Sequence, residues 1–415
     1  MSYPPISDPA AAGMSAARLQ RITDLMQRYV DRGRLAGALA LVARQGKVVY
    51  FDAVGRRDRE ADLPMTKETI FRIYSMTKPI VTTAAMMLFE EGHFMLDTPV
   101  RDFIPAFADT PVCAGATKER LRLVPQERPM TIKDLMTHTA GLSYGWFKDT
   151  PVDALYRESD LSNMEGDLAA RIDYLATFPL CFQPGAAWRY SFATDVLGRV
   201  VEVAAGKPLD HFLADEIFAP LGMVDTGFQV RPGHEERFAS LYSIFETLDF
   251  AANEQPLPAE GSPLYLLDGA QESAFCQPPK YLSGGGGLTS TAADYLRYAQ
   301  MMLNGGELDG VRLLGRKTVE LMTMNHLPPG LIPVAVGDIP SQGHGFGLGG
   351  SVLVDVAAAG IPGSAGSWGW SGAAATYFWI DPHEDLLGIF MTQFMPSAHW
   401  PVRLEFRRAV YQALV

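Results

Sequence analysis

Residues 71–94, FRIYSMTKPIVTTAAMMLFEEGHF, carry a serine and a lysine three positions apart, at the start of an apolar run. The run after Lys78 is apolar almost all round, which predicts a central, buried helix from Ser75 to about Glu91, closed by Gly92. Side chains three positions apart lie on the same face of a helix. The spacing therefore places Lys78 beside Ser75, although lysine is costly to bury.

The pair Ser75 and Lys78 suits covalent chemistry at a helix N-terminus. Backbone N–H groups and the positive end of the helix dipole at that position stabilise a developing oxyanion. A lysine held next to the hydroxyl there can accept its proton and make it a nucleophile. The spacing alone leaves an alternative open, in which Ser75 only caps the helix and Lys78 extends to the solvent.

Composition excludes several classes of protein. The chain has 415 residues, more than one hydrophobic core usually serves, and a formal net charge of −12, which argues against nucleic acid or an anionic membrane surface as a partner. Its three cysteines lie far apart and predict free thiols, with no metal or cofactor. The first twenty residues lack a secretory pattern, and no apolar run could span a bilayer, so we expect a cytoplasmic protein.

The order of predicted elements indicates an α/β (α+β) fold. A helix over 15–33 is followed by a hairpin, ALALVAR and VVYFDAV, and further strand-like runs appear in 345–393 before a C-terminal helix. The clear elements between are helical, such as TIKDLMTHTAGL and TDVLGRVVEVAAG. We expect an antiparallel sheet from 1–100 and 286–415, flanked by helices, with a mostly helical domain inserted at 101–285.

Four further stretches join residues 71–94 in a resemblance to the serine β-lactamase and penicillin-binding superfamily. They are LMTHTAGLSY, PGAAWRYSFATDVLGRVVE, GGGGLTSTAADYLRYAQMMLNGG and WGWSGAAATYFWIDP, and they occur in the order typical of that superfamily. Within it, the chain is most similar to the family VIII carboxylesterases and the class C β-lactamases. The resemblance covers roughly residues 17–412 and implies the β-lactamase/transpeptidase-like fold.

The resemblance also implies roles for single residues. Ser75 stands at the position of the nucleophile, Lys78 at that of its partner, and Tyr190 at that of the tyrosine in the second motif. The backbone N–H groups of Ser75 and Ala373 correspond to the oxyanion hole. The expected substrate contacts are Tyr144, Phe192, Trp370, Ser371 and Gly372.

The sequence departs from the lactamase pattern at two motifs. Tyr190-Ser191-Phe192 replaces Tyr-x-Asn, and Trp370-Ser371-Gly372 stands where lactamases have Lys-Thr-Gly. Trp-x-Gly is typical of family VIII esterases, and an indole cannot pair with a carboxylate as an ammonium does. The sequence therefore predicts a serine carboxylesterase that acts on a small, neutral, short-chain or aromatic ester. Acyl transfer, weak β-lactam hydrolysis and a non-enzymatic acyl-binding sensor remain as alternatives, and the oligomeric state is open.

Two other short patterns in the sequence match known functional motifs. Residues 141–145 match Gly-x-Ser-x-Gly, which would make Ser143 the nucleophile of an α/β-hydrolase, but a helical pattern precedes them where a strand is needed. Gly345, Gly347 and Gly350 satisfy Gly-x-Gly-x-x-Gly, but no helix follows them, which argues against dinucleotide binding. The resemblance assigns a structural place to His138.

Overall fold

An antiparallel sheet built from both ends of the chain dominates the fold. The computed structural model describes residues 4–116, 120–159, 161, 166–247, 263–336 and 339–415. The strands of the central sheet are β1 (Gly37–Arg44), β2 (Lys47–Asp58), β3 (Leu63–Pro64), β4 (His344–Phe346), β5 (Ser351–Leu353), β6 (Trp368–Ser371), β7 (Tyr377–Asp381) and β8 (Leu386–Met391).

The strand order interleaves the two ends of the chain. It runs β4-β5-β6-β7-β8-β1-β2-β3, and β1 pairs antiparallel with both β2 and β8. The predicted N-terminal hairpin is thus the pair β1 and β2, and the C-terminal strands continue the sheet from β1. The prediction of one antiparallel sheet formed from both ends of the chain is confirmed.

Helices cover both faces of this sheet and are the longest regular elements in the described part of the middle of the chain. They are α1 (Ala16–Asp31), α2 (Thr77–Glu90), α3 (Ile132–Met136), α4 (Pro151–Glu158), α5 (Leu168–Leu175), α6 (Ala193–Ala205), α7 (Leu209–Leu213), α8 (Ala219–Leu221), α9 (Ala292–Leu303), α10 (Arg316–Thr323), α11 (Val356–Ala359) and α12 (Val402–Tyr411).

Strand β1 shows why the sheet needs cover on both sides. Side chains alternate between the two faces of a strand. Leu39 and Leu41 belong to the apolar core that includes α2 and α9, whereas Ala40 and Val42 belong to the core beneath α1 and α12. All four are buried, so β1 is apolar on both faces and lies in the interior of a three-layer arrangement.

The middle region contains short strands that the sequence pattern did not predict. Val112–Ala116 pairs with Leu121–Val124, and Leu241–Ser243 pairs with Tyr265–Asp268 and with Phe394–Met395. Other two-residue pairs are Phe71–Arg72 with Thr289–Ser290, Glu307–Leu308 with Val311–Arg312, and Ala335–Val336 with Ile339–Pro340. The domain limits at 100 and 286 remain a prediction.

Two predicted helices differ from the structure in their limits. The helix predicted within TIKDLMTHTAGL ends at Met136, because His138 has a φ of 56° and Gly141 a φ of 85°, which turn the chain out of the helix. Helix α2 begins at Thr77, and Ser75 lies in the single 3₁₀ turn before it. The end of α2 at Glu90, shortly before Gly92 with a φ of 85°, agrees with the prediction.

The cysteines are free thiols: Cys113 and Cys181 are half-buried and Cys276 is buried. Across the described ranges, no three His, Cys, Asp or Glu side chains are grouped so that they could hold a metal ion. None of the helices in the described part of the chain is both long and apolar enough to cross a membrane.

Candidate active site

Ser75 lies on a rigid turn at the N-terminal end of α2. The residue before it, Tyr74, has a φ of 43°, an uncommon conformation for a residue other than glycine. The Met76 N–H donates to the Ile73 carbonyl at 3.0 Å, and the buried Tyr295 hydroxyl donates to the Met76 carbonyl at 2.9 Å. These contacts hold the turn while Ser75 itself stays half-buried and within reach of the solvent.

Lys78 is buried beside Ser75. Only 1% of it is exposed, and its Nζ lies 3.3 Å from Ser75 Oγ and 2.5 Å from the Gly285 carbonyl oxygen. The same Nζ lies over the Tyr190 ring, 4.6 Å from its centre, and 5.3 Å from the centre of the Tyr144 ring. Lys78 is buried, so the alternative in which its side chain extends to the solvent is wrong.

Tyr190 lies across from Lys78, shortly before α6. Its hydroxyl accepts a hydrogen bond from the Trp370 indole N–H at 3.2 Å, and its ring packs 4.8 Å from the His138 imidazole. Burial, followed by the charge of Lys78, lowers the pKa of His138 well below its ordinary value. The ring that packs against Tyr190 is therefore a neutral imidazole, and its Nδ1 lies 3.2 Å from Ser191 Oγ.

The end of β6 lies against the turn that carries Ser75. A Cβ on Gly372 would come 2.4 Å from the Ile73 carbonyl oxygen, so only glycine allows this approach. The Thr376 hydroxyl donates to the same carbonyl at 3.4 Å. Ala373, the residue after Gly372, and Tyr74 both pack against the same small apolar cluster. The segment Ser371 to Ala373 therefore runs alongside the residues that precede Ser75.

An aromatic wall continues outward from Lys78. The Tyr144 ring stacks on Trp146 with centres 4.2 Å apart and contacts Phe192 at 4.5 Å. Tyr144 is buried, whereas 36% of Trp146 is exposed. Burial, with the neighbouring Tyr190 and Asp195 adding to it, raises the pKa of Tyr144 well above its ordinary value. The wall is therefore uncharged, and it extends from the buried lysine to the surface.

A buried carboxylate that was not predicted from the sequence lies behind the site. Asp195 is 1% exposed, and its Oδ1 accepts hydrogen bonds from the Ser283 hydroxyl at 2.6 Å and the Gly285 N–H at 3.2 Å. Gly285 is the residue whose carbonyl contacts Lys78. The run of four glycines at 284–287 was the available signal, because such a run indicates that another part of the molecule approaches the backbone closely.

Ser143 lies inside the protein in a different network. It is fully buried, its hydroxyl donates to Asp153, and Arg189 Nε donates to its Oγ at 3.0 Å. Arg189 also pairs with Asp149 and Asp153 at 2.6 Å each. Gly-x-Ser-x-Gly therefore does not form a nucleophile elbow here. A helix and a turn come before Ser143, and its hydroxyl is hydrogen-bonded to a carboxylate.

The glycines of the dinucleotide-like pattern also have a structural role. Gly345 lies in β4, and Gly347 and Gly350 lie in the turn that leads directly into β5. The Gly347 N–H donates to the Gly350 carbonyl at 2.8 Å, which closes that turn. Because a strand follows and not a helix, the turn cannot present a helix N-terminus to a pyrophosphate.

Comparison with known proteins covers nearly the whole chain. The Beta-lactamase family model matches residues 22–412. Esterase EstB of Burkholderia gladioli is 33% identical over 426 residues, spanning 97% of this chain and 98% of EstB. The lovastatin esterase of Penicillium rubens is 30% identical over 380 residues, spanning 88% and 90% of the two chains.

A solved structure agrees with these relatives. EstCE1, described as a hydrolase with promiscuous acyltransferase activity, superposes with a TM-score of 0.78 at 30% identity, covering 95% of this chain and 99% of its own. The resemblance inferred from the sequence motifs is thereby confirmed. The chain belongs to the Beta-lactamase family, among the serine hydrolases of the β-lactamase-like superfamily that include the family VIII esterases.

Proposed function

We propose that the protein is a serine carboxylesterase that forms an acyl-enzyme on Ser75. The observation that carries the proposal is the buried Lys78, 1% exposed, with its Nζ 3.3 Å from the Oγ of a serine that the solvent can reach. A lysine amine at hydrogen-bond distance from a hydroxyl suits proton removal. The relatedness to EstB and the lovastatin esterase supports ester hydrolysis as the activity.

In the proposed mechanism, Ser75 Oγ attacks the ester carbonyl and its proton passes to Lys78 or Tyr190. The same pair then returns a proton to the departing alcohol, and water attacks the acyl-enzyme to release the acid. The Nζ of Lys78 lies 4.6 Å from the centre of the Tyr190 ring, so the two groups are near enough to share the proton transfers. Either can be the base in the acylation step.

We assign the oxyanion hole to the backbone N–H groups of Ser75 and Ala373. The assignment is supported by the close approach of Gly372 to Ile73. This approach brings the end of β6, just before Ala373, next to the turn that carries Ser75. Each donor of such a pair is typically worth about 3 kcal/mol of transition-state stabilisation. The hole uses only main-chain groups, so the side chains of Trp370 and Ser371 are left for substrate contact.

The proposed substrate is a small neutral ester with a short acyl chain or an aromatic alcohol. Trp370 stands at the motif position of the lactamase lysine, and its indole N–H donates to the Tyr190 hydroxyl, so an uncharged ring replaces a cation there. Phe192, Tyr144 and Trp146 add an uncharged aromatic wall. Apolar surfaces of this kind suit apolar acyl or alcohol groups. A cytoplasmic location without nucleic acid or membrane partners is part of the proposal.

Acyl transfer is the second candidate, because an alcohol can replace water in attacking the same acyl-enzyme. The description of EstCE1 as a hydrolase with promiscuous acyltransferase activity favours keeping it. Adding a short alcohol during ester turnover separates the two. Free acid as the main product supports hydrolysis, and a new ester as the main product supports transfer.

The central test compares kcat/KM for nitrophenyl esters of increasing acyl length with that for nitrocefin, a chromogenic β-lactam. We expect short-chain esters to react fastest and nitrocefin to react slowly or not at all. Nitrocefin turnover faster than every ester would contradict the argument from Phe192 and Trp370. Stable acylation of Ser75 by a nitrophenyl ester without turnover would indicate an acyl-binding sensor instead.

A further inference from the structure

Two buried titratable side chains, a lysine and an aspartate, lie on opposite sides of one glycine. Lys78 and Asp195 are each 1% exposed. The Gly285 carbonyl accepts from Lys78 Nζ at 2.5 Å, and the Gly285 N–H donates to Asp195 Oδ1 at 3.2 Å. A charge removed from water is costly unless an opposite charge or hydrogen bonds compensate it. Gly285 therefore connects an amine and a carboxylate, so that the carboxylate can compensate a positive charge on the amine without direct contact.

The second oxygen of Asp195 points toward the same glycine. Among the described residues, Asp195 Oδ2 is buried and has no hydrogen-bond partner. A Cβ on Gly285 would lie 2.3 Å from Oδ2 and 3.0 Å from the Tyr144 hydroxyl. The turn is thus shaped around the carboxylate, and no residue larger than glycine fits at 285 without moving it.

Several other titratable groups surround Asp195. Tyr144 and Tyr281 face it, and Arg171 of α5 lies behind Tyr281, with its guanidinium carbon 3.7 Å from the centre of that ring. Burial raises the pKa of Asp195 above its ordinary value, and the charge of Lys78 opposes the rise more strongly than that of Arg171. Lys78 is therefore the main cation that the carboxylate acts on.

We propose that Asp195 is a positioning residue that, through Gly285, orients Lys78 toward Ser75 and stabilises the charge Lys78 gains when it takes the serine proton. The inference rests on the proposed function. Asp195 would then support the transition state in two ways. It fixes the carbonyl that holds the amine, and it supplies a preorganised negative charge where positive charge develops.

The test is the pH profile of kcat/KM for a nitrophenyl ester in Asp195→Asn. Asparagine can still accept from Ser283 and Gly285 through its carbonyl oxygen, so the variant removes the charge and keeps the anchor. Without that charge, protonation of the Lys78 and Tyr190 pair is less favourable. We expect the acidic limb to move to lower pH by about one unit, while kcat falls about tenfold or more.

Asp294→Asn is the matched control. Asp294 is also buried, also the third residue of its helix, and also accepts from one backbone N–H and one hydroxyl, those of Asp225 and Thr226. We expect this variant to lose stability, but the acidic limb of its kcat/KM profile should stay at the same pH as in wild type. A merely structural loss would lower activity in both variants without moving either limb.

Superimposable acidic limbs for wild type and Asp195→Asn would overturn the proposal, whatever the change in kcat. If Asp195→Asn yields no folded protein, Ser283→Ala decides, because it removes one of the two bonds that hold the carboxylate. A severalfold loss of kcat at unchanged KM supports the proposal, and wild-type kcat contradicts it. A wild-type enzyme without esterase turnover would contradict the proposed function instead, so the two failures are distinguishable.

Discussion

Two serines in this molecule belong to short patterns that mark nucleophiles, and their surroundings are opposite. Ser75 is half-buried on a turn at the start of α2 and contacts one buried amine, Lys78 at 3.3 Å. Ser143 is fully buried in a network of two carboxylates and a guanidinium, in which its hydroxyl donates to Asp153. The first hydroxyl lies beside a lysine amine and within reach of the solvent, whereas the second donates to an ion-paired carboxylate and is closed off from the solvent.

The difference shows that a serine motif predicts reactivity only together with its surroundings. A hydroxyl that donates to a buried, ion-paired carboxylate has a structural role. If it attacked a substrate, Asp153 and Arg189 would each lose a hydrogen-bond partner inside the protein. A hydroxyl beside a lysine at a helix N-terminus has both an acceptor for its proton and donors for the oxyanion. The predictions below test this contrast, beginning with the largest effect.

Alanine at each serine gives the strongest contrast. Ser75→Ala removes the proposed nucleophile, so kcat/KM for a nitrophenyl ester should fall by at least about 10⁴-fold. Ser143→Ala should lower the melting temperature but leave fluorophosphonate labelling of the folded protein on Ser75. Labelling and turnover are measured on both variants, with circular dichroism as the control for folding. Turnover that survived in Ser75→Ala and vanished in folded Ser143→Ala would reverse the assignment.

Removing the amine beside Ser75 should have the next largest effect. Lys78→Met keeps the buried chain length and removes the proton acceptor, so kcat should fall by roughly 10²–10⁴-fold with a smaller change in KM. Lys317→Met is the control, because 77% of the Lys317 side chain is exposed and it only pairs with Glu320 on α10. Steady-state kinetics on both variants decides. Near wild-type kcat in Lys78→Met would leave Tyr190 as the sole base.

The network around Ser143 should respond in stability more than in chemistry. The Arg189 side chain is 12% exposed and pairs with Asp153, which is fully buried. Arg189→Met leaves that carboxylate without its cation, and breaking a buried pair typically costs about 3–5 kcal/mol. Urea unfolding should show this loss, whereas Arg199→Met, which removes a more exposed i,i+3 pair with Glu202, should cost less than about 1 kcal/mol. Equal losses of unfolding free energy in the two variants would mean that the buried Arg189–Asp153 pair is no more costly to break than the more exposed pair.

The parts of the site that could be predicted are those fixed by local geometry or by a motif. Ser75 and Lys78 are three positions apart where a 3₁₀ turn leads into α2, so their proximity follows from the local helical backbone. Strand runs at both ends of the chain sufficed to predict the shared antiparallel sheet. Tyr190 and Trp370 lie far apart in sequence, and only the resemblance to a known family indicated that they belong to one site.

The parts that were missed depend on contacts between distant segments. Asp195 meets Gly285 across 90 positions, and neither the helical pattern around Asp195 nor the glycine run states which partner it has. The short strands Val112–Ala116, Leu121–Val124 and Tyr265–Asp268 have little apolar alternation to mark them, because several of their side chains are exposed. The early end of α3 depends on the left-handed backbone of His138, which tertiary packing imposes.

His138 links the two serine regions, and its titration gives the smallest predicted effect. Its carbonyl accepts from the Arg189 N–H at 2.8 Å, and its ring packs 4.8 Å from the Tyr190 ring. Burial lowers its pKa well below the ordinary value, so below about pH 6.5 the unfolded chain binds a proton that the folded protein does not. The free energy of unfolding should therefore fall as the pH drops below that value, by about 1 kcal/mol per unit from this group.

The measurement is urea unfolding at pH 7.5 and 5.5 for wild type and His138→Asn. Asparagine does not titrate and tolerates the left-handed backbone at this position, where φ is 56°. The variant is expected to be less stable at both values, because its side chain fills less of the space between the aromatic rings. Only the difference between the two pH values is informative, since contributions from the other histidines cancel. Wild type should lose about 1 kcal/mol more than the variant; parallel losses would show that His138 is not held neutral between the two regions.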